Sequence, residues 1–226
     1  IGLYPAASDG DDIVLYADES RERERMRLPQ LRNQQADRER NLSLADFVAP
    51  LGSGVKDYVG AFAVTAGLGL EELAGRYRSE GDDYRAIMAK LLADRLTEAF
   101  AEALHRYVRV TLWGYEREGQ WSVGDLLAEK YQGIRPAFGY PSTPDHSLKA
   151  DVFALMDVGT VTGMTMTESY MIVPGEAACG LMLGHPEARN FSVGRIDSEQ
   201  LASYAARRGT DPEKMRVLIP QHLIEM

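Results

Sequence analysis

The chain has 226 residues, 45% of them hydrophobic, and a formal net charge of −9. This length and apolar content can build a buried core, whereas an acidic chain has no general attraction for nucleic acid phosphates or anionic lipids. No run of about 18 apolar residues occurs, and the first residues lack a basic and an apolar signal region. We therefore expect no membrane span, no signal peptide and a cytoplasmic protein without a nucleic-acid partner.

Three strands are predicted in the first third of the chain. DDIVLYAD at 11–18 follows a turn-forming segment, and two further apolar stretches at 44–50 and 57–67 flank a GSG turn. Between the first and second predicted strands, residues 20–40 are rich in mixed charges and poor in apolar side chains. We expect this segment to be a solvated, partly helical excursion, with a partner-binding strip as the alternative.

One long helix is predicted from Gly81 to about Tyr115. Asp82 and Asp83 lie in its first turn, where the helix dipole favours negative charge. One row of side chains, apolar at first and charged later, consists of Tyr84, Met88, Leu91, Arg95, Glu98 and Glu102. A second stripe, which we expect to be buried, consists of Leu96, Ala99, Phe100, Ala103 and Tyr107. Glu98 then lies at the edge of a buried face, either in a surface ion pair with Arg95 or on the polar wall of a ligand cleft.

Two further helices are predicted around a proline-rich loop. The first spans 122–133, with Ser122 as N-cap and Asp125 completing a capping box. The second spans 147–158 and has an apolar face.

Strands and then helices are predicted towards the end of the chain. Residues 164–197 favour strands interrupted by prolines and glycines, and 198–209 favours a helix with Ser198 as N-cap. Pro212 is expected at the first position of another helix. Because runs of strand and runs of helix do not alternate strictly, the pattern favours an α+β fold over a doubly wound sheet.

Motifs for common chemistries are absent from the sequence. It has no phosphate-binding loop, dinucleotide fingerprint, nucleophile elbow or HExxH helix. The four histidines lack ligand spacing, so we expect no catalytic metal. Cys179, the single cysteine, is expected to be a small buried residue rather than a nucleophile.

The loop GIRPAFGYPSTPDH at 133–146 contains three prolines, which restrict its backbone on both sides of Arg135. A guanidinium fixed there could bind a carboxylate in bidentate fashion or form a structural salt bridge. Gly139 allows close approach of a bound group, and Tyr140 either projects from the loop or packs as an ordinary aromatic. For His146 we expect a hydrogen bond that stabilises the turn.

This loop resembles the RPAPGYP loop of the C-terminal reactivation domain of cobalamin-dependent methionine synthase, which binds S-adenosylmethionine. The resemblance extends over nearly the whole chain, in the expected order, through LADFVAPLGSG, DYVGAFAVTAG, DDYRAIMAKLLADRLTEAFAEALH, YQGIRPAFGYP, TGMTMTESYMIVPGEAACG and SEQLASYAARRG. It implies a mainly antiparallel twisted sheet with flanking helices. It also implies that residues 1–226 form one reactivation domain, as part of a longer multidomain methyltransferase.

The implied function is repair of an inactivated cofactor. In this family, cobalamin occasionally becomes trapped as cob(II)alamin, and the reactivation domain docks on the cobalamin-binding domain of the same polypeptide. S-adenosylmethionine then donates a methyl group to cobalt, while flavodoxin or a similar donor supplies an electron. Cobalamin is thus bound by a partner domain, and zinc is expected only in another module of the full-length enzyme.

Carried over by position, the resemblance assigns roles to individual residues. Arg135 would bind the methionine carboxylate, and Glu98 would face the amino group. Backbone groups at Ala137 and nearby, including Gly139, would hold the adenosyl portion. Tyr140 would belong to the S-adenosylmethionine site and also face the cobalamin, and Asp94 would touch the cobalamin domain on docking. No residue of this chain is expected to act as a catalytic acid or base.

Two positions depart from the family pattern. Phe138 replaces the second proline of RPAPGYP, which should loosen the turn or add an aromatic contact. Where the family has two adjacent aromatics that are expected to contact the ligand, this chain has Asn190 and Phe191. The family also carries a ligand-contacting aspartate in a helical segment before the GLYPA strand, and this sequence starts at Ile1.

These departures leave a second function open, namely a docking cap for a cobalamin domain with little affinity for the ligand. A third, an independent hydrolase or transferase that uses Glu98 with His146 or His185, has less support.

Overall fold

The computed structural model describes residues 1–35 and 40–223. The chain divides into two compact units. The first consists of Ile1–Ala61, Gln132–Asp151 and Gly180–Met226, and the second of Phe62–Tyr131 and Val152–Cys179.

Strands and helices in the described part of the chain follow in runs, as an α+β fold requires. The strands are β1 (Gly2–Asp9), β2 (Asp12–Tyr16), β3 (Glu24–Pro29), β4 (Asp57–Thr65), β5 (Thr165–Met166), β6 (Ile172–Val173) and β7 (Ala177–Met182). The helices are α1 (Leu70–Ser79), α2 (Asp83–Tyr107), α3 (Val123–Leu127), α4 (Leu148–Met156), α5 (Val158–Thr162), α6 (Ser198–Arg207) and α7 (Pro212–Leu218). None of the helices in these described residues is both long and apolar enough to cross a membrane.

The main sheet has the strand order β3-β2-β1-β4-β7. β1 pairs antiparallel with β2 and with β4, and β2 pairs antiparallel with β3. The register places Ala6 opposite Leu15 and Ile13 opposite Leu28, and all four side chains are fully buried. Burial of such apolar surface is the main favourable term in folding. The predicted α+β class with a mainly antiparallel sheet is confirmed.

The prediction of a solvated, partly helical segment at 20–40 is wrong, because this segment contains the edge strand β3. Its Arg27 lies 2.9 Å from a carboxylate oxygen of Asp9, 3.1 Å from one of Asp12 and 3.0 Å from one of Glu24. Charged side chains are common on edge strands, where they discourage pairing with another chain. Residues 36–39 of the predicted segment lie outside the described residues.

The strand predicted at 44–50 is also wrong, since Leu44–Phe47 forms a 3₁₀ helix. Ser43 and Asp46 form a capping box at its start. This local pattern satisfies the first backbone N–H groups of a helix and outweighs the strand propensity of the apolar residues. The strand predicted at 57–67 is confirmed as β4.

In the second unit, α1 packs against the long helix α2. No helix was predicted from the sequence where α1 lies. Asp82 is the N-cap of α2, and its carboxylate accepts a hydrogen bond from the Arg85 N–H at 2.9 Å. α2 gives way after Tyr107 to a π-helical turn, Val108–Leu112, so the regular helix is shorter than predicted.

The buried face of α2 differs from the predicted one. The stripe that contains Leu96 and Phe100 is on the surface, where these side chains are 60% and 50% exposed. The buried residues are Ala86, Ala93, Thr97, Ala101 and His105. Most of these side chains are small, and small side chains allow a neighbouring element to approach the helix backbone closely.

A buried ion pair stabilises the end of α2. Arg109 is fully buried, and its Nε donates to a carboxylate oxygen of Glu116 at 2.7 Å. Its Nη1 lies 2.8 Å from His105 Nδ1, and its guanidinium carbon lies 3.7 Å from the centre of the Tyr131 ring. Because the carboxylate and the ring both favour the cation, the charge is compensated within the second unit.

Around the proline-rich loop, the predicted helix boundaries are only partly correct. The capping box of Ser122 and Asp125 is confirmed, but α3 ends at Leu127 instead of continuing to 133. Glu129 has a φ of 49°, a left-handed conformation that a helix does not accommodate. The helix predicted at 147–158 is confirmed as α4, which ends before the left-handed residue Asp157.

Near the end of the described chain, β5, β6 and β7 confirm the predicted strands as far as Met182. Residues 184–195 contain no strand, so that part of the prediction is wrong. Asp197 is the N-cap of α6, where the sequence predicted Ser198. Pro212 at the start of α7 is confirmed.

Candidate functional site

The proline-rich loop lies along the edge strand β7. Ile134 and Leu183 exchange two backbone hydrogen bonds of 2.9 Å, and the Leu181 N–H donates to the Pro136 carbonyl at 3.0 Å. Ala137 forms an isolated antiparallel bridge with Gly180. The start of the loop therefore pairs with the edge of the sheet, which fixes the backbone on both sides of Arg135.

Gly180 is required for this contact. A Cβ at this position would lie 2.7 Å from the Ala137 Cα and would collide with the Pro136 carbonyl oxygen. Glycine within a strand often marks such a close approach of another backbone segment. Gly180 was not among the residues predicted to be functional, although a glycine inside the apolar run AACGLML is the signal that could have identified it.

The tip of the loop is a closed turn. The Gly139 N–H donates to the Thr143 carbonyl at 2.8 Å, and the Thr143 N–H donates to the Tyr140 carbonyl at 2.9 Å. Gly139 has a φ of +95°, a conformation that residues other than glycine rarely adopt. Tyr140 is 58% exposed and projects from this turn, whereas the Phe138 side chain is buried.

The end of the loop is anchored by a buried carboxylate. Asp145 accepts hydrogen bonds from the Tyr204 hydroxyl and from the Ser147 N–H, both at 2.8 Å. The Arg208 Nε lies 3.4 Å from the same carboxylate. Burial, together with the charge of Asp145, raises the pKa of the Tyr204 hydroxyl well above its ordinary value, so the hydroxyl keeps its proton and donates.

The segment that carries Asn190 and Phe191 is joined to the loop by one backbone bond, from the Val193 N–H to the Pro141 carbonyl at 2.8 Å. The Phe191 ring lies 6.3 Å from the Phe47 ring in an edge-to-face arrangement, and Asn190 is exposed. Phe191 is thus held by another aromatic ring within the first unit.

The two acidic candidates lie on α2 in the second unit. Thr97 fixes the rotation of this helix, because its hydroxyl accepts a hydrogen bond from the Ala66 N–H at 3.2 Å and lies 2.9 Å from the Glu176 carbonyl. Asp94 and Glu98 each follow a buried residue and are four positions apart. Both are exposed on one flank of the helix.

The candidate residues therefore fall into two groups. Arg135, Ala137, Gly139, Tyr140, Asn190 and Phe191 belong to the first unit, and Asp94 and Glu98 belong to the second. Arg135 is half-buried. The pairing of Arg135 with Glu98 around one ligand stays a prediction.

No group of three or more histidine, cysteine, aspartate or glutamate side chains in residues 1–35 and 40–223 is arranged to hold a metal ion. Cys179 is buried, as predicted.

These features define the class of protein, an α+β module that presents one loop whose shape is set by its backbone and by the sheet edge beneath it. The family model of the activation domain of vitamin B12-dependent methionine synthase matches residues 1–209, and the chain belongs to this family. The predicted family and its role in reactivation are thus confirmed.

A solved structure supports the same conclusion. The crystal structure of the MetH reactivation domain bound to AdoHcy is 43% identical in sequence to this chain, with a TM-score of 0.97. The match covers 100% of this chain and 70% of the other.

Proposed function

We propose that this chain binds S-adenosylmethionine and presents its methyl group to the cobalamin of a neighbouring domain, in the reactivation of methionine synthase. The observation that carries the proposal is the fold shared with a reactivation domain that binds AdoHcy. AdoHcy is what remains of S-adenosylmethionine once the methyl group has left, so a site for one fits most atoms of the other.

Arg135 would bind the carboxylate of the ligand. Its neighbours Ile134 and Pro136 are both held by backbone bonds to the edge of β7, which limits the positions that the guanidinium can adopt. A guanidinium can bind a carboxylate through two parallel hydrogen bonds, and this geometry is more specific than a single charge contact.

Glu98 would supply the opposite charge. S-adenosylmethionine carries a cationic amino group and a sulfonium in addition to its carboxylate, so its site needs an anion as well as a cation. Glu98 is exposed and is held on a helix whose rotation is fixed by Thr97. Asp94 lies one turn earlier on the same flank.

The adenosyl portion would lie against the backbone of Ala137 and Gly139. The positive φ of Gly139 allows the tight turn that would present these peptide groups to a ligand. Asn190 and Phe191 would contribute to the same site. Because the Phe191 ring already contacts Phe47, we expect it to add a preformed apolar wall.

Docking on the cobalamin domain would use the exposed Tyr140 and a row on α2. This row runs from Ile87 and Leu91, which are exposed apolar residues, to Asp94 and Glu98. An exposed apolar patch beside charged groups is typical of a surface that a partner covers.

The chemistry itself would come from outside this chain. Cobalamin, bound by the neighbouring domain, would supply the nucleophile, flavodoxin or a similar donor would supply the electron, and zinc would belong to another module. The sulfonium is already a good leaving group. The residues of this chain would therefore contribute to the methyltransferase reaction by positioning the ligand, without acid-base catalysis.

Calorimetric titration with AdoHcy and with S-adenosylmethionine tests the proposal. We expect saturable binding, at least about tenfold weaker in Arg135→Ala, since loss of a charged hydrogen bond costs about 1.5–3 kcal/mol. Arg216→Ala is the matched control, because Arg216 is a partly exposed arginine of α7 outside the loop. Equal affinity in wild type and Arg135→Ala would contradict the role of Arg135.

A folded wild-type sample that produces no binding heat with either ligand would refute ligand binding. That result would favour the docking cap with little ligand affinity, a function that the replacement of an aromatic by Asn190 would permit.

A further inference from the structure

The ring of His146 packs directly against the backbone of Gly139. A Cβ built on Gly139 would lie 2.6 Å from Nε2 and 2.8 Å from Nδ1 of this ring. The imidazole therefore occupies the space that a side chain at 139 would need. It lies beneath the turn that carries Tyr140.

Lys149 determines which protonation state the ring can adopt. Its Nζ lies 2.7 Å from His146 Nδ1, and Lys149 is only 7% exposed. An ammonium group has donors and no acceptor, so Nδ1 must offer its lone pair. The ring is then neutral, with its proton on Nε2.

The other charges near His146 support this state. Burial and the charge of Lys149 lower the pKa of His146, and the opposing effect of Asp145 is weaker. The carboxylate of Asp145 is also engaged by the Tyr204 hydroxyl and lies near Arg208. A second positive charge on His146 would face Lys149 across a hydrogen bond and could not be accommodated without moving one of the two side chains.

We infer that His146, held neutral by Lys149, is a positioning residue that supports the ligand-binding turn from below. The inference rests on the proposed binding of S-adenosylmethionine by this loop. The ring fills the space under Gly139, so the turn keeps one shape and the backbone at 137–139 is ready for the adenosyl portion. His146 itself does not touch the ligand.

The first test needs no ligand. Nitrogen chemical shifts of the histidine side chains, measured by long-range ¹H–¹⁵N NMR at pH 7.5, report the tautomer. We expect His146 as the neutral Nε2–H form. A cationic ring or the Nδ1–H form would overturn the inference whether or not the protein binds AdoHcy.

The second test uses His146→Asn, whose amide oxygen can still accept from Lys149 while the outer part of the ring is lost. We expect faster hydrogen exchange of the Gly139 amide and AdoHcy affinity reduced by about tenfold. The affinity is measured at a temperature where thermal unfolding shows the variant to be folded. A variant that loses thermal stability but keeps both wild-type exchange and wild-type affinity would show a merely structural role and refute the inference.

The third test is the pH profile of Lys149→Met. In the wild type, the pKa of His146 is lowered from its ordinary value of 6.5. The contribution of the neutral ring to the stability of the turn is therefore complete above pH 6.5, and it is lost only as the pH falls towards the lower pKa of the folded protein. Without Lys149, the loss should begin at higher pH. We expect affinities within about twofold of each other at pH 8 and at least about fivefold weaker binding by the variant at pH 5.5.

Identical pH profiles for wild type and Lys149→Met would contradict the role of Lys149. If wild-type protein fails to bind AdoHcy at all, the proposed function fails, and the tautomer and the Gly139 exchange rate still decide whether His146 supports the turn.

Discussion

Gly180→Ala should displace the binding loop without altering any side chain that we expect to touch the ligand. The new Cβ would lie 2.7 Å from the Ala137 Cα, whereas ordinary contacts begin at 3.4 Å. The loop must therefore retreat by at least about 0.7 Å, and the 3.0 Å bond from Leu181 N–H to Pro136 would lengthen beyond hydrogen-bond range. Loss of this bond costs about 1 kcal/mol, and overpacking costs about 1–3 kcal/mol. We expect a total of about 2–4 kcal/mol.

Thermal unfolding and AdoHcy titration measure the two consequences. For a domain of this size, about 1 kcal/mol corresponds to about 2–4 °C, so Tm should fall by roughly 5–15 °C, and the affinity should fall in the protein that remains folded. Gly75→Ala is the matched control, since a Cβ there meets no atom within 4 Å. It should stabilise α1 by about 0.5–1 kcal/mol. A Gly180→Ala protein with wild-type Tm and affinity would refute the claim that this contact shapes the loop.

Two further substitutions test the second unit by chemical denaturation. Arg109→Met should destabilise by about 3–5 kcal/mol, because it leaves the buried Glu116 carboxylate without its ion-pair partner. Arg109→Met combined with Glu116→Gln should recover part of this loss, and equal stability of the single and double variants would contradict the explanation. Thr97→Val removes the hydroxyl that bonds the Ala66 N–H and should cost about 1 kcal/mol. A stable Thr97→Val protein with unchanged AdoHcy affinity would show that this hydroxyl is not needed to set the rotation of α2.

Strands and helices whose own residues carry a clear sequence pattern were predicted correctly. β2 and β4 have dense apolar sequences, and α7 begins at a proline with an aspartate before it. β3 has no such signal, because it is an edge strand with several charged residues, of which Arg27 pairs with the Asp12 carboxylate on β2. The helix signal in the sequence of α1 is also weak, because the helix has a glycine in its interior and buries only Leu70 and Ala74.

The rotation of α2 could not be predicted from its hydrophobic pattern. That pattern assumes that the largest apolar side chains are inside, and it places Leu96 and Phe100 in the core. The structure buries alanines and Thr97 instead, and it leaves large side chains on the surface. α2 carries apolar side chains on more than one face, and only tertiary contacts decide which face is buried.

The resemblance to a known family supplied the candidate ligand residues, whereas the contacts that support the backbone of the loop came only from the structure. Gly180 and His146 both act on the loop through contacts with its backbone. Gly180 is distant from the loop in sequence, so no spacing rule connects the two. His146 is only seven positions from Gly139, but the contact depends on how the turn folds back at Thr143.

The stiffness that the prolines indicate therefore has three sources, namely the restricted backbone, the closed turn at Gly139 and the pairing with β7. Each of them is made by the chain's own backbone, so we expect the entropy of ordering the loop to be lost during folding and not during binding. Preorganisation of this kind would suit the proposed function, in which the ligand and a partner domain supply the chemistry. If that proposal holds, an error of about 1 Å in the loop should reduce the rate of methyl transfer even if every ligand contact were retained.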